Sequence, residues 1–282
     1  MPYSSNLTDS EWEILEPLLN LLLPIKKKTR PPNWTKREIL DGIFYQLKNG
    51  CNWEDATIRF TPLLNCILVL QAVAVRRSAW KTDDNLTFER SRAGQKKPKW
   101  TTLIIIDSQA VKHTCNASIA SKGYCFYKST NGIKRHLAVD TLGFPFFTHC
   151  TKPNVSDDAG LIEMLSKNID YFKCKPVNIP QITILLDHGY HPEHLTIELK
   201  KIYPQILTKI KFELSKKPSK LQKEAEGKSG FVPVRARWVI ERSNSWMERC
   251  KILVKNFERT LANATAKINL CFIRLMVKRL AA

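Results

Sequence analysis

The chain has 282 residues, with 45 Lys and Arg against 26 Asp and Glu, for a formal net charge of +19. Hydrophobic residues make up 43% of the chain, with only 10 Gly and 15 Pro, which excludes disordered, collagen-like and low-complexity classes. This length predicts one large or two smaller domains. Residues 200–282 hold 20 basic and 6 acidic residues. The positive charge therefore favours a polyanionic partner, DNA or RNA. The alternative is that the chain is simply a soluble basic protein.

The N-terminal sequence predicts neither export nor membrane insertion. It has no basic segment followed by an apolar core, and the longest apolar stretch, residues 63–75, has only 13 residues, short of the ~20 that span a bilayer. The eight cysteines are scattered, without the spacing of zinc ligands. We therefore expect a soluble, cytoplasmic protein with reduced cysteines and no membrane partner.

Two helices are predicted near the N-terminus. Thr8 and Glu11 have the spacing of a capping box, and apolar residues then recur on one helical face. A second capping box, Thr35 with Glu38, opens another amphipathic helix that ends near Gly50. Basic residues flank both segments, which favours a small helical DNA-binding domain; the alternative is a generic helical subdomain.

Residues 56–94 fit poorly with their surroundings. The apolar run at 63–75 has neither a helical nor a strand period, and the charged clusters that follow it lack caps. Residues 95–100 form a polar, proline-bearing link. We place a domain boundary there.

The pattern after this link is that of alternating strands and helices. A β-branched strand from Thr101 to Ile106 is predicted to end at Asp107, and an apolar strand from Ile182 to Leu186 to end at Asp187. Between them we predict a hairpin over 134–147 that turns at Gly143, and a helix over 157–172. The remaining predictions are a helix over 192–199, a basic loop over 209–230, and two helices over 235–257 and 262–280.

Two buried strands that each end in an aspartate suggest a pair of carboxylates on a rigid scaffold. If the strands are neighbours, Asp107 and Asp187 approach each other, and a divalent cation relieves their repulsion. Carboxylate oxygens suit Mg²⁺ or Mn²⁺, and the matching chemistry is two-metal phosphoryl transfer on nucleic acid. The alternative is that both aspartates only cap the turns after their strands.

A third acidic residue follows in a C-terminal helix. Arg237 and Glu241 are four residues apart and share a helical face. Glu241 could complete the metal site. The alternative is a surface ion pair of little energetic value.

Several short stretches together carry a family resemblance. They are 7–12 with 18–19, 37–42, 50–53, 106–108 with 111–112, 132–137 with 139–140 and Gly143, 186–190, and 237–242. Their order and spacing resemble the DDE transposases of bacterial insertion sequences, specifically the insertion-sequence family five group within the IS4-like superfamily. The resemblance covers residues 1–55 and 95–282.

The resemblance implies an α/β fold: an RNase H-like catalytic core, with a mixed sheet flanked by helices, preceded by a small all-α DNA-binding domain. We expect the helical domain over 1–94 and the catalytic domain over 95–282. The resemblance also implies a triad of Asp107, Asp187 and Glu241 that binds two Mg²⁺ or Mn²⁺ ions and catalyses DNA strand cleavage and strand transfer at the element ends. A homodimer on terminal inverted repeats and target DNA in the bacterial cytoplasm is implied as well.

Related transposases carry a Tyr-x2-Arg-x3-Glu-x6-Lys pattern around the glutamate. This chain keeps Arg237 and Glu241 but has Val234 and Glu248 at the Tyr and Lys positions. Glu248 with Lys255 also fits Glu-x6-Lys, without the preceding arginine, so we prefer Glu241 as the third carboxylate. The expected contacts to DNA phosphates are Lys112, Lys134, Arg135, His136, Arg237, Arg249, Lys251 and Lys255.

Residues 56–94 depart from the family pattern. One interpretation is a restored local frameshift, and the other is ordinary divergence. The frameshift would leave a damaged copy whose N-terminal domain folds poorly. The alternative function is that of an inactive, degenerate copy that only binds DNA. A second alternative is another RNase H-like nuclease, such as a resolvase, which would cleave without joining strands.

Overall fold

The computed structural model describes residues 3–22, 34–52, 101–176, 179–215 and 236–281. The atypical segment 56–94, the link at 95–100 and most of the predicted basic loop at 209–230 lie outside these ranges. The division into domains at residue 94 therefore stays a prediction.

The described residues alternate between helices and strands. In chain order they form α1 (Asp9–Leu22), α2 (Lys36–Asn49), β1 (Leu103–Lys112), β2 (Tyr124–Cys125), β3 (Thr130–Val139), β4 (Pro145–Thr151), α3 (Asp157–Ser166), α4 (Ile169–Cys174), β5 (Ile182–Leu186), α5 (Pro192–Ile202), β6 (Ile210–Leu214), α6 (Arg237–Glu248) and α7 (Leu261–Leu280). Short 3₁₀ turns lie at Phe126–Lys128, Ile206–Thr208 and Lys251–Leu253. None of the helices in these ranges is long and apolar enough to cross a membrane.

The strands form a mixed sheet. Their order is β2-β3-β1-β5-β6, with β4 paired to β3. β5 runs parallel to both β1 and β6, whereas β3 runs antiparallel to β2 and β4. A mixed sheet with helices between its strands confirms the predicted α/β class and is consistent with an RNase H-like core.

Local signals at the N-terminal helices are confirmed. The backbone N–H of Thr8 donates to Glu11 Oε2 (2.9 Å), and the N–H of Glu11 donates to Thr8 Oγ1 (3.3 Å). Thr35 and Glu38 exchange the same pair of hydrogen bonds. Gly50 ends α2 with a φ of 71°, a left-handed conformation in which a side chain is strained.

The chain forms two compact units. The first comprises the described parts of 1–99, 111–133 and 247–282; there α1 and α2 pack against α7, with Ile43, Phe44 and Phe272 fully buried. The predicted N-terminal helices are thus present and share this unit with the C-terminal helix.

The second unit comprises the described parts of 100–110 and 134–246. Its core is one cluster of apolar side chains from the strands and from α3, α4 and α5, with Ile104, Ile184 and Leu195 fully buried. Burial of this apolar surface is the main favourable term in the folding of the unit.

Four predicted boundaries need correction. The first strand does not end at Asp107, because β1 continues to Lys112 beside β3. The helix over 157–172 is two helices, since the chain leaves helical geometry at Asn168, whose side chain donates to the Met164 carbonyl (2.6 Å). The segment that begins at 209 contains β6, which pairs with β5. The helix predicted over 235–257 ends at Glu248 and is followed by the 3₁₀ turn at Lys251–Leu253.

Candidate active site

Asp107 and Asp187 occupy equivalent positions on neighbouring strands. β1 and β5 pair in parallel, with Leu103 opposite Thr183 and Ile105 opposite Leu185. Each aspartate comes two residues after the last of these pairs. The parallel register therefore sets both aspartates at one level of the sheet.

One guanidinium group lies against both carboxylates. Arg237 Nη1 lies 3.2 Å from Asp187 Oδ2, and Arg237 Nη2 lies 3.8 Å from Asp107 Oδ1. The cation offsets the mutual repulsion of the two negative charges. The structure thus brings Asp107 and Asp187 together around a positive charge, although sequence reasoning assigned Arg237 to a DNA phosphate.

The helix that carries Arg237 makes a second contact with this pair. Asn244 Nδ2 donates to Asp107 Oδ2 at 3.0 Å. Arg237 and Asn244 are seven residues apart and share one face of α6. Sequence reasoning missed Asn244, although its spacing from Arg237 was visible.

Glu241 lies between these two residues on the same helical face, four residues after Arg237 and three before Asn244. Its side chain is exposed, as is that of Glu248, which lies one turn beyond Asn244. Within the described ranges, no group of three or more His, Cys, Asp or Glu side chains is close enough to hold a metal ion. Arg237 therefore contacts two of the three predicted carboxylates, Asp107 and Asp187, and Glu241 lies exposed on the helix that carries this arginine.

A tight turn fixes α6 against the β3–β4 hairpin. Arg242 Nη2 donates to the carbonyl of Leu142 (2.7 Å), and Ser243 Oγ donates to the carbonyl of Gly143 (2.7 Å). Gly143 has a φ of 81°, and a Cβ there would lie 2.8 Å from Ser243 Oγ. Only glycine fits this turn without strain, so the turn sets the position of the helix that contacts Asp107 and Asp187.

A second hydrogen-bond network surrounds the Asp157 carboxylate and includes Ser108, the residue that follows Asp107. Ser108 Oγ donates to Asp157 Oδ1 (2.8 Å), and Lys134 Nζ lies 2.9 Å from the same oxygen. Burial by itself raises the pKa of Asp157, but the hydrogen bonds from Lys134 and Ser108 outweigh it and the pKa is lowered. Sequence reasoning missed Asp157, which looked like an ordinary residue of the first helical turn.

Tyr190 belongs to the same surroundings. Burial, followed by the negative charges of Asp157 and Asp107, raises the pKa of its hydroxyl. The hydroxyl therefore stays protonated at neutral pH and adds no charge beside the aspartates.

Burial sorts the predicted DNA contacts into two groups. Lys134 is paired with Asp157, and Arg135 and His136 are buried. Their predicted phosphate contacts find no support in the surface of the structure. Besides Arg237, which contacts the two aspartates, the remaining four are exposed: Lys112, Arg249, Lys251 and Lys255.

Two family models match the chain. One, described as the transposase DDE domain, matches residues 100–276. The other describes transposases of the IS4/5 family and matches residues 7–83. No curated protein and no solved structure matches the chain.

Proposed function

The chain belongs to the DDE transposase family, whose members are enzymes acting on DNA, and from this premise we propose that Asp107, Asp187 and Glu241 are its catalytic, metal-binding carboxylates. The observation that carries the proposal is the contact of one guanidinium with both Asp107 and Asp187. This contact supports the view that the two carboxylates together bind a positively charged group. Nothing in the described residues favours the alternative of an inactive copy.

The donor set fits the divalent ions that the family generally uses. Carboxylate oxygens are hard ligands, which Mg²⁺ and Mn²⁺ prefer. The contact of Arg237 with both aspartates is consistent with a site that attracts cations. Asp107, Asp187 and Glu241 would hold two such ions, and Glu241 is preferred to Glu248 because it lies between the two residues of α6 that contact Asp107.

When bound, two ions would supply Lewis-acid activation of an attacking oxygen and charge stabilisation of the leaving oxygen at phosphorus. The chain's own residues provide the positioning. Asn244 orients the Asp107 carboxylate through its 3.0 Å hydrogen bond. Lys112, Arg249, Lys251 and Lys255 would neutralise DNA phosphates and set the register of the substrate without reading its sequence.

The proposed substrate is the pair of DNA ends of the element that encodes the chain, bound by a homodimer. Joining two ends in one reaction is simplest when each protomer holds one of them. Size-exclusion chromatography with light scattering, with and without DNA carrying both ends, tests the dimer. A complex of one protomer with one DNA molecule that carries both ends would contradict the dimer.

The catalytic assignment is tested by strand cleavage of a plasmid that carries the element with its flanking DNA. Asp107→Asn and Asp187→Asn should each reduce cleavage by about 10³-fold or more, since metal-assisted charge stabilisation supplies several kcal/mol and each 1.36 kcal/mol is tenfold. Glu241→Gln should do the same, whereas the matched variant Glu248→Gln should keep activity. Full cleavage in excess EDTA, or by Asp107→Asn, would overturn the proposal. Loss of cleavage in Glu248→Gln but not in Glu241→Gln would assign the third carboxylate to Glu248.

A further inference from the structure

Exposed aromatic rings lie on the segment between β1 and β3. Tyr127 is 100% exposed and Phe126 83% exposed, and the Phe126 ring packs edge-on against Tyr124 with centroids 4.9 Å apart. We call these three residues the aromatic tip. A cluster of large exposed apolar rings usually marks a contact surface.

The backbone beneath the rings is well supported. Tyr124 and Cys125 form β2 and pair with Asn131 and Thr130 of β3. Cys125 is buried, and the residues that follow make a 3₁₀ turn. The rings are therefore presented on a short hairpin, and a ligand that contacts them need not order that backbone first.

The base of the loop is held as well. Ser121 Oγ donates to the carbonyl of Arg259 (2.8 Å), and the backbone of His113 forms an isolated β-bridge with that of Asn256. These contacts lie within the first compact unit. They tie the loop to the chain just before α7.

The charge around the aromatic tip is positive. Residues 108–139 include no Asp or Glu, and the residues next to the tip include Lys122 and Lys128. Lys128 follows Tyr127 directly, Lys122 lies two residues before Tyr124, and both lysines are exposed. Cations beside exposed π-faces match a polyanion that also offers flat aromatic groups, which is the chemistry of a nucleic acid strand.

We propose that the aromatic tip binds an unpaired DNA strand, with bases stacked on Phe126 and Tyr127 and phosphates beside Lys122 and Lys128. Bases inside a duplex are stacked on one another and offer no free face, whereas unpaired bases do. The inference rests on the proposed function, in which DNA is the substrate, and adds a preference for single strands at a site apart from the carboxylates.

Fluorescence anisotropy on the full chain tests the proposal, with a labelled mixed-sequence 20-mer and the duplex of the same sequence. The double variant Phe126→Ala/Tyr127→Ala should weaken binding of the single strand by about 25-fold or more and that of the duplex by less than about 2-fold, because stacking accounts for about 5- to 150-fold per base and the variant removes two rings. Among single variants at this position, Tyr127→Ala should lose affinity for the single strand. Tyr127→Trp keeps an aromatic face and should retain that affinity, whereas Tyr127→Leu should not. Ile119→Ala, at an apolar residue of the same loop that is 88% exposed, is the matched control and should bind like the parent.

The salt dependence separates the rings from the lysines. Lys122→Gln/Lys128→Gln should flatten the slope of log K against log salt by about 1.4, at ~0.7 per single-strand phosphate. The aromatic variants should leave this slope unchanged. A slope unaffected by the lysine variant would contradict the phosphate contacts.

The outcomes distinguish this inference from the proposed function. If the parent protein binds and cleaves DNA but the double aromatic variant binds the single strand equally well, only the inference is overturned. If the parent binds no DNA, the proposed function fails with it. If the aromatic variant changes the oligomeric state and not the single-strand affinity, the tip is a protein contact and the inference is wrong.

Discussion

The imidazole of His136 is buried within the second unit, where sequence reasoning had expected a phosphate contact. It is 1% exposed, and its Nε2 shares a hydrogen bond with Thr151 Oγ1 (3.0 Å). Burial, with a smaller effect of His149, lowers the pKa of His136 to about 3 from an ordinary 6.5. The ring is therefore neutral in the folded protein at any pH near neutrality.

This burial predicts a loss of stability in mild acid. Because the folded pKa lies below the unfolded one, the unfolded chain binds the extra proton between pH 6.5 and about 3, and stability falls as pH falls through that window. The limiting slope is about 1.4 kcal/mol per pH unit for one such group. Urea unfolding of the parent and of His136→Gln at pH 7, 6, 5 and 4.5 measures it.

The slope between pH 6.5 and 4.5 should be smaller in the variant by about this amount. The pKa of His113 is also lowered by burial, but His113 contributes equally to both proteins and cancels in the difference. Equal slopes in the two proteins would show that His136 is not buried as a neutral group.

Arg237 supplies a second prediction for single residues. Arg237→Gln removes the cation between Asp107 and Asp187, so the free energy of unfolding in EDTA should fall. Asp187 is 41% exposed on its side chain, so solvent screening limits the loss to about 1 kcal/mol or less, or ~2–4 °C in Tm.

Divalent ions should compensate for the missing arginine. Mg²⁺ or Mn²⁺ should raise the Tm of Arg237→Gln more than that of the parent, because an ion that binds only the folded state stabilises it by mass action and need not compete with a guanidinium. Differential scanning fluorimetry measures both shifts. Lys200→Gln, an exposed site in the same unit, is the control; an equal metal response in parent and Arg237→Gln would contradict the cation site.

Among the elements, α3 and β3 meet with almost no space between them. Ser156 Oγ caps α3 by accepting from the Ala159 N–H (3.2 Å). A Cβ at Gly160 would lie 2.1 Å from His136 Nε2 and 2.2 Å from its Cε1. The helix approaches the sheet this closely because glycine has no side chain.

Gly160→Ala should therefore destabilise the fold. Overpacking against a buried ring costs about 1–3 kcal/mol, whereas alanine gains ~1 kcal/mol over glycine in helix propensity. The expected net loss of stability is therefore about 0–2 kcal/mol. Gly189→Ala is the matched control, since nothing lies within 4 Å of a Cβ there. Urea unfolding should separate the two variants; identical stabilities would mean that α3 is not seated on His136.

At the scale of the whole molecule, the first unit joins both ends of the described chain. Arg274 in α7 forms a 2.6 Å ion pair with Glu11 of α1, and both side chains are largely buried. Arg274 Nη2 also donates to the carbonyl of Asn6 (3.1 Å), and its guanidinium lies over the Phe44 ring. The C-terminal helix therefore completes the packing of the N-terminal helices.

Arg274→Met should be strongly destabilising. It leaves the buried Glu11 carboxylate without its cation, and breaking such a pair on one side costs about 3–5 kcal/mol. Adding Glu11→Gln should recover part of the loss, because an amide needs no counter-charge and still accepts the capping hydrogen bond from Thr8. Lys278→Met, at an exposed position of the same helix, should change stability by less than about 0.5 kcal/mol. Additive losses in the double variant, measured by thermal unfolding, would contradict a direct pair.

The sequence by itself was sufficient for the features that depend on neighbouring residues. The capping boxes at Thr8 and Thr35, the left-handed Gly50 and the apolar strand over Ile182–Leu186 follow from hydrogen bonds and periodicity within a few residues, and each is confirmed. The family and its α/β fold also followed from short motifs in a set order. Both aspartates were found because each follows an apolar strand run that the sheet buries.

The tertiary structure alone decided which groups meet. Arg237 contacts Asp107 and Asp187, which lie 130 and 50 positions earlier in the chain, and Asp157 contacts Ser108 and Lys134 of other elements. His136 became a buried neutral base because α3 covers it, although its sequence neighbours are basic. Desolvation and ion pairing depend on atoms brought together by strand register and helix packing, and no local pattern of residues specifies those partners.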